Sequence, residues 1–200
     1  MPNPPLILTA LELEAAAIRR RLPSSSVARV LVIGPAASAM PAEIPESGLI
    51  LVAGIGGGLD PALRTGDVII DGDVHPPPGA RAGRIHTAGH VVETPAQKAA
   101  LYAETGADAV DMEQAIVRAS LGDRVVGVRA ISDTAAHTLP GFLARFVTPD
   151  GRTNTSRAAA HLLGHPQHLP AMLTAARLSS IACRALGEAV SGIVAPNAAP

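Results

Sequence analysis

The stretch Arg124-Val-Val-Gly-Val-Arg-Ala-Ile131 decides the fold, because apolar residues fill it almost continuously where a half-exposed strand would alternate. Such continuity is typical of a strand covered on both faces, as in a largely parallel sheet between helices. Further apolar runs predict buried strands at residues 6–10, 27–33, 49–53, 67–70 and 107–110. The core is therefore predicted to be a sheet with both faces buried.

Segments with helical period separate these strands. Apolar positions recur at helical spacing in residues 12–22 and 112–121. Thr94 and Pro95 predict the start of a helix that runs through Tyr102, since proline lacks only an amide that has no partner there. Alternating strands and helices predict an α/β fold. The 200 residues suit one domain, 1–200, with a mostly helical C-terminal region at 139–195.

The composition excludes several functional classes. The net charge is -1 and aromatic residues make up 2%, so neither a polyanion-binding surface nor a base-stacking platform is expected. Cys183 is the only cysteine, which fits a reducing compartment. Neither an export signal nor an uninterrupted apolar run of about 18 residues is recognised. We expect a cytoplasmic protein that binds no nucleic acid.

Chemistry is expected at the carboxyl ends of the predicted strands, where open α/β sheets place their sites. Gly54-Ile-Gly-Gly-Gly58 directly follows the strand at 49–53, and its unhindered amides could converge on an anion or a sugar oxygen. A dinucleotide-binding fingerprint would need its third glycine where Leu59 stands. The alternative is a tight turn at which two backbones pack closely.

Two further strand ends carry acids. Asp111 and Glu113, in Ala109-Val-Asp-Met-Glu-Gln114, lie where a strand runs into a helix, and both could simply stabilise the helix start. In Val128-Arg-Ala-Ile-Ser-Asp133 the acid Asp133 follows the strand predicted at residues 124–131. A half-buried carboxyl there would hold its proton more tightly, as a general acid requires, although a turn cap is an equal alternative.

Together these segments resemble the nucleoside phosphorylase and nucleosidase superfamily. The resemblance spans most of residues 5–135 and rests on four blocks in the family's order: Ala10-Leu-Glu-Leu-Glu14, Gly54-Ile-Gly-Gly-Gly-Leu59 with Gly66-Asp-Val68, Val110-Asp-Met-Glu113 and Val128-Arg-Ala-Ile-Ser-Asp133. It implies a single-domain, three-layer α/β/α fold with a mixed, largely parallel sheet. It also implies cleavage of the bond between a purine and ribose. The stretch between Glu14 and Gly54 is short beside typical relatives.

The resemblance also implies roles for the acids. Asp133 matches the residue that gives a proton to the departing purine. Glu113 matches the residue that holds the ribose hydroxyls, with Met112 packed beneath the sugar. Glu14 matches the glutamate that orients an attacking water, and Glu12 is the second candidate. The implied chemistry uses no metal and no organic cofactor.

Two backbone segments would complete the site that the resemblance implies. The purine edge would pair with the backbone around Val91, Val92 and Glu93, and the loop at the nucleophile would be Gly54, Ile55, Gly56 and Gly57. Ile55 stands where relatives often carry a hydroxyl, which favours water, yet the glycine amides could bind inorganic phosphate as a co-substrate. An arginine for phosphate finds no clear match among Arg19, Arg20, Arg21, Arg29 and Arg64. Hydrolase and phosphorylase both stay open.

The C-terminal third resembles one branch of the superfamily, the hopanoid-associated phosphorylases. The matching motifs are Leu139-Pro, Pro149-Asp-Gly-Arg152, Leu162-Leu163, Pro166-Gln-His-Leu-Pro170 and a helix over 178–186. This branch implies adenine release from adenosylhopane, a lipid-linked purine nucleoside of hopanoid biosynthesis. The alternatives are a methylthioadenosine or adenosylhomocysteine nucleosidase, a general purine nucleoside phosphorylase, and a nucleoside-binding module without turnover.

The expected partners follow from the same resemblance. It implies a homodimer, and the apolar segment 169–194 could pack in the core, form that interface or touch the inner face of a membrane. His161 and His165 have a spacing that can place two metal ligands on one helix face, but Pro166 should break that face. We therefore predict a polar surface at these histidines and no metal site.

Overall fold

The computed structural model describes residues 3–195 and confirms the α/β class. Its strands are β1 (Leu6–Thr9), β2 (Arg29–Val32), β3 (Ile50–Gly58), β4 (Val68–Asp71), β5 (Ala80–Ala82), β6 (Ile85–Thr87), β7 (Ala109–Asp111) and β8 (Val125–Asp133). Its α-helices are α1 (Glu12–Arg19), α2 (Pro95–Thr105), α3 (Gln114–Leu121), α4 (Thr155–Gly164) and α5 (Leu169–Val194). Short 3-10 turns occupy Pro35–Ala37, Gly141–Phe146 and Pro166–His168.

The strands form one mixed sheet. Its main path has the order β2-β1-β3-β8-β4-β5, while β7 pairs with β3 and β6 pairs with β7. Only the β4–β8 and β3–β7 pairs are antiparallel, so the described sheet is largely parallel as expected. Because β1, β3 and β8 are parallel neighbours, their carboxyl ends lie at the same edge.

Both faces of the central strands are buried, as their continuous apolar sequence predicts. One core cluster joins Leu51 of β3 to Ile18 of α1 and Leu186 of α5. The adjacent residue Val52 points to the other face and packs in a cluster with Val117 of α3. The sheet therefore lies between α1 and α5 on one side and α3 on the other, which gives the three layers.

The helix predicted from Thr94 is confirmed and explains how α2 is held. The Thr94 hydroxyl accepts a hydrogen bond from the backbone N–H of Gln97, and the Gln97 side chain accepts from the N–H of Thr94. The helix extends beyond Tyr102 and ends at Gly106, whose φ of 61° suits glycine. Two strands, β5 and β6, were not predicted, since each has three residues between prolines and glycines.

The glycine-rich segment corrects the predicted loop at residues 54–57. These residues continue β3 and pair with β8 in register, Gly54 with Arg129 and Gly56 with Ile131. A Cβ at Gly56 would lie 2.7 Å from the carbonyl oxygen of Val110, and one at Gly54 would lie 2.9 Å from Glu14 Oε1. The glycines therefore serve close packing within a strand, which a search for turn signals reads as a loop.

The C-terminal region consists mostly of the helices α4 and α5. α5 covers one face of the sheet, where Leu186 and Val190 are fully buried. Between residues 3 and 195, no helix has the length and apolar character needed to cross a bilayer.

Candidate active site

Glu14 lies in the first turn of α1 and reaches the glycine-rich part of β3. Its Oε1 accepts a hydrogen bond of 2.8 Å from the backbone N–H of Ile55, and its Oε2 accepts one of 2.8 Å from the N–H of Leu11. Burial raises the pKa of Glu14 to about 7, because removal from water penalises the carboxylate more than these two bonds favour it. Glu12 instead faces outward and pairs with Arg19 at 2.8 Å.

Arg129 of β8 joins the acids of two sequence blocks. Its guanidinium forms ion pairs with Asp111 and, at 3.4 Å, with Glu113 Oε2, and it donates to the carbonyl of Val52 at 2.7 Å. Burial alone would lower the pKa of Arg129, but Asp111, Glu113 and Glu14 raise it. A buried cation is thus held among three carboxyl groups.

Glu113 occupies the N-cap position of α3 and contacts a segment distant in sequence. Burial raises the pKa of this carboxyl, Arg129 opposes that effect, and the charge of Asp111 adds to it. Glu113 Oε1 accepts a hydrogen bond of 2.9 Å from the backbone N–H of Ala36, which has a φ of 51°. The region between Glu14 and Gly54 therefore contributes to the site through Ala36.

Asp133 ends β8 with both carboxyl oxygens engaged. Oδ1 accepts from the hydroxyl of Ser132 at 2.7 Å, and Oδ2 accepts from Nζ of Lys98 on α2 at 2.5 Å. A Cβ at Gly57 would lie 3.3 Å from Oδ2, so β3 passes directly beside this acid. The sequence predicts a half-buried carboxyl here, and the structure places Asp133 in a buried position beside the buried ammonium of Lys98.

The structure brings most of the predicted site residues to one edge of the sheet. Glu14 contacts Ile55, Glu113 contacts Arg129, and Met112 precedes Glu113 at the end of β7. The glycines of β3 run between Glu14 and Asp133. Glu14, Glu113 and Asp133 are all at least nine-tenths buried. Arg129, Asp111 and Glu113 form one connected cluster, while Glu14 and Asp133 each have separate partners on either side of the glycines of β3.

The predicted purine-binding segment, residues 91–93, packs next to β7 and precedes α2. Val92 is buried against Val110, but the backbone of Glu93 is already engaged: its N–H donates to Gln97 and its carbonyl accepts from Leu139. A cleft of about 330 Å³ lies between β6 and α2 beside Val92. Its lining includes none of the acids of the site, and consists of His86, Thr87, Ala88, Gly89, His90, Val92, Gln97, Ala100, Leu101 and Glu104.

Two central residues, Arg129 and Lys98, were missed from the sequence. Arg129 stands inside the quoted block, and a charge within a continuously apolar strand was the available signal. Lys98 is the only lysine in the chain, which was also readable. Asp111 was read as a helix cap, and its Oδ2 does accept from the N–H of Gln114, but it also pairs with Arg129.

His161, His165, His168 and Cys183 lie outside this site. The rings of His161 and His168 are hydrogen-bonded at 2.8 Å and stack on Phe142, while α4 ends at Gly164 before Pro166, as predicted. Among residues 3–195, no three His, Cys, Asp or Glu side chains are grouped to hold a metal ion. Burial raises the pKa of Cys183 to about 12, which suits an inert packed thiol.

The chain has a nucleosidase fold. It is similar to the 5′-methylthioadenosine/S-adenosylhomocysteine nucleosidase of Helicobacter pylori, with a TM-score of 0.64 and 15% identity over 97% of this chain and 98% of that one. The nucleosidase of the same name from Neisseria meningitidis gives 0.65 and 16% over 96% and 98%. Futalosine hydrolase of Helicobacter pylori gives 0.60 and 16% over 96% and 97%. The sequence matches no family model and no curated relative.

Proposed function

We propose that the protein cleaves the N-glycosidic bond of a purine nucleoside and releases adenine. The observation that carries this proposal is the placement of three buried acids with different partners at one sheet edge. Glu14 is bound by two backbone amides, Glu113 by Arg129, and Asp133 by Lys98. Three such acids suit the three tasks of the reaction, which are to activate a nucleophile, hold a cationic sugar and protonate a leaving group.

In the proposed mechanism each of the three acids performs one of these tasks. Glu14, with its pKa near 7, takes a proton from the attacking water. Glu113, backed by Asp111 and Arg129, holds the ribose hydroxyls and offers negative charge to the sugar as the bond to the purine breaks. Asp133 passes a proton to a ring nitrogen of the purine, so that the base departs uncharged.

The contacts of Ile55 favour water over phosphate as the nucleophile. Its amide, which would have to face a phosphate in the glycine-rich segment, already donates to Glu14. The neighbouring glycines are paired with β8. A phosphate dianion beside the buried Glu14 carboxylate would also meet like charge. We therefore propose a hydrolase, with phosphorolysis as the alternative that the assay below tests.

Adenosylhopane remains our proposed substrate, on the strength of the C-terminal motifs. Leucines 163, 169 and 173 of the same region are exposed, which supports contact with a lipid or with a second subunit. The neighbours named as methylthioadenosine/adenosylhomocysteine nucleosidases support the alternative of a smaller 5′ group. The homodimer and the membrane contact stay proposals that light scattering and vesicle flotation test.

The decisive experiment is adenine release, followed by chromatography. Adenosine, methylthioadenosine and detergent-dispersed adenosylhopane are each incubated with the protein, with and without phosphate. Release from adenosylhopane above the other two supports the lipid-linked substrate, and indifference to phosphate supports water. Release of no base under any condition contradicts the proposed function and leaves a nucleoside-binding module.

The pKa of Glu14 predicts how the rate depends on pH. The base form of Glu14 is lost below about pH 7, so we expect kcat/KM for adenine release to fall about tenfold per pH unit below that value. Glu14→Gln should remove this acid limb and lower the rate by about 100-fold or more. Rates measured from pH 5 to 9 check both expectations.

The matched control for Glu14 is Glu12→Gln, which changes an exposed carboxyl two residues away. It should keep both the rate and the pH profile of the wild type. Persistence of the acid limb in Glu14→Gln would assign that limb to another group and remove Glu14 from the role of base.

A further inference from the structure

The environment of Lys98 carries an inference beyond the roles proposed above. Lys98 is the only lysine among 200 residues, every other permanently charged basic side chain being an arginine. It lies on α2 with none of its surface exposed. Full burial is rare for a lysine and needs specific partners. We therefore expect Lys98 to have a role that an arginine could not perform.

The three N–H groups of the Lys98 ammonium each have a partner. They point to Asp133 Oδ2 at 2.5 Å, the carbonyl of Thr134 at 2.8 Å and the carbonyl of His137 at 3.0 Å. Two of these partners are neutral and one is the candidate acid. An ammonium with three donors and no acceptor is thus fully satisfied, and it aims one proton at Asp133.

We propose that Lys98 stores the proton that Asp133 passes to the departing purine. In the resting pair the proton is bonded to Nζ and hydrogen-bonded to Oδ2. As negative charge develops on the purine, the Nζ proton moves to the Asp133 carboxylate, and Asp133 passes it to the ring nitrogen. Lys98 is therefore a positioning residue that acts through Asp133. This inference rests on the proposed cleavage of a purine nucleoside.

The step balances in atoms and charge. The glycosidic C–N bond breaks and its electron pair goes to the purine, which gains an N–H bond, while one Nζ–H bond is lost. Lys98 becomes a neutral amine that keeps two N–H groups for Thr134 and His137 and turns its lone pair toward Asp133. The attacking water releases its proton to Glu14. After the products leave, Glu14 loses this proton to solvent and Lys98 takes one up.

The chemistry explains why lysine occupies this position. A lysine side chain gives up a proton when it is buried and the demand is strong, whereas a guanidinium does not lose its proton in proteins. A guanidinium would orient Asp133 equally well through a charge-assisted hydrogen bond. Orientation and proton storage are therefore separable by substitution.

The test compares two leaving groups in Lys98→Met, which keeps a long side chain and removes the amine. We expect adenine release from the best nucleoside to fall by about 100-fold or more, with the larger effect on kcat than on KM. Release of nitrophenolate from p-nitrophenyl riboside, a leaving group that needs no proton, should change by less than about threefold. Tyr102→Phe, an exposed change on the same helix outside the cleft lining, is the control for both substrates.

Two further variants keep the test decisive if one substrate is poor. Lys98→Arg should be as slow in adenine release as Lys98→Met, and the double variant of Lys98→Met with Asp133→Asn should be no slower than the slower single variant. Wild-type adenine release by Lys98→Arg, equal losses on both leaving groups, or multiplying losses in the double variant would each overturn the proposal. A wild-type protein that releases no base overturns the proposed function instead.

Discussion

Asp133→Asn is expected to lower the rate of adenine release by about 100-fold to 10,000-fold while nucleoside affinity changes little. The amide keeps the shape of the side chain and can still accept from Ser132, but it has no proton to pass to the purine. The affinity should survive because Glu113 and the sugar contacts are untouched. Single-turnover chromatography and equilibrium binding of a nucleoside measure the two quantities.

The stability of Asp133→Asn has to be measured beside its activity. The substitution leaves the Lys98 ammonium buried with two carbonyls and no carboxylate, which lowers the free energy of unfolding. Asp123→Asn, an exposed change in the turn before β8, is the matched control and should affect neither quantity. Wild-type adenine release by a folded Asp133→Asn protein would contradict the role of Asp133 as acid.

Arg129→Met is expected to lower the free energy of unfolding by about 3–5 kcal/mol at pH 7.5. The guanidinium is 1% exposed and is the shared partner of Asp111 and Glu113. Methionine fills much of the same space, so loss of charge compensation dominates over loss of packing. Urea unfolding followed by circular dichroism measures the change, and a loss of under 1 kcal/mol would contradict the compensating role of Arg129.

The pH dependence of this destabilisation has a definite sign. Without the guanidinium, the buried carboxyls bind protons more tightly in the folded than in the unfolded state. Their stabilising contribution is then present at low pH and lost as pH rises, so the deficit of Arg129→Met should shrink between pH 7.5 and 5.5. Arg177→Met, an exposed change on α5, should stay within about 0.5 kcal/mol of wild type at both values.

The fold was predictable where burial leaves a pattern in the sequence. Continuous apolar runs marked β1, β3, β4 and β8, and the Thr94 cap marked the start of α2, because these features depend on local residues. The path of β3 was not predictable in the same way. Its glycines carry no side-chain pattern, and only the approach of Val110 and Glu14 shows why they are needed in a strand.

In the candidate site, too, the acids were predictable from the sequence and their distant partners were not. Glu113 and Asp133 were found as acids at strand ends, which the topology brings together, whereas Glu14 was identified only through the family resemblance. Their partners were not found, because Lys98 is 35 residues from Asp133, and Ala36 is 77 residues from Glu113. Contacts of this range depend on how α2 and the 3-10 turn at Pro35–Ala37 pack, which no local pattern encodes.

Because Lys98 is buried, the rate at which it is chemically modified measures how often the protein opens locally. Apart from an α-amino group, acylating reagents find no other amine in the sequence, and this one has no exposed surface in the folded protein. Lys98 can be acylated only in molecules where α2 has separated from the end of β8. The acylation rate of Lys98 therefore measures how often α2 separates from the end of β8. A bound nucleoside that contacts both α2 and β8 would lower this rate.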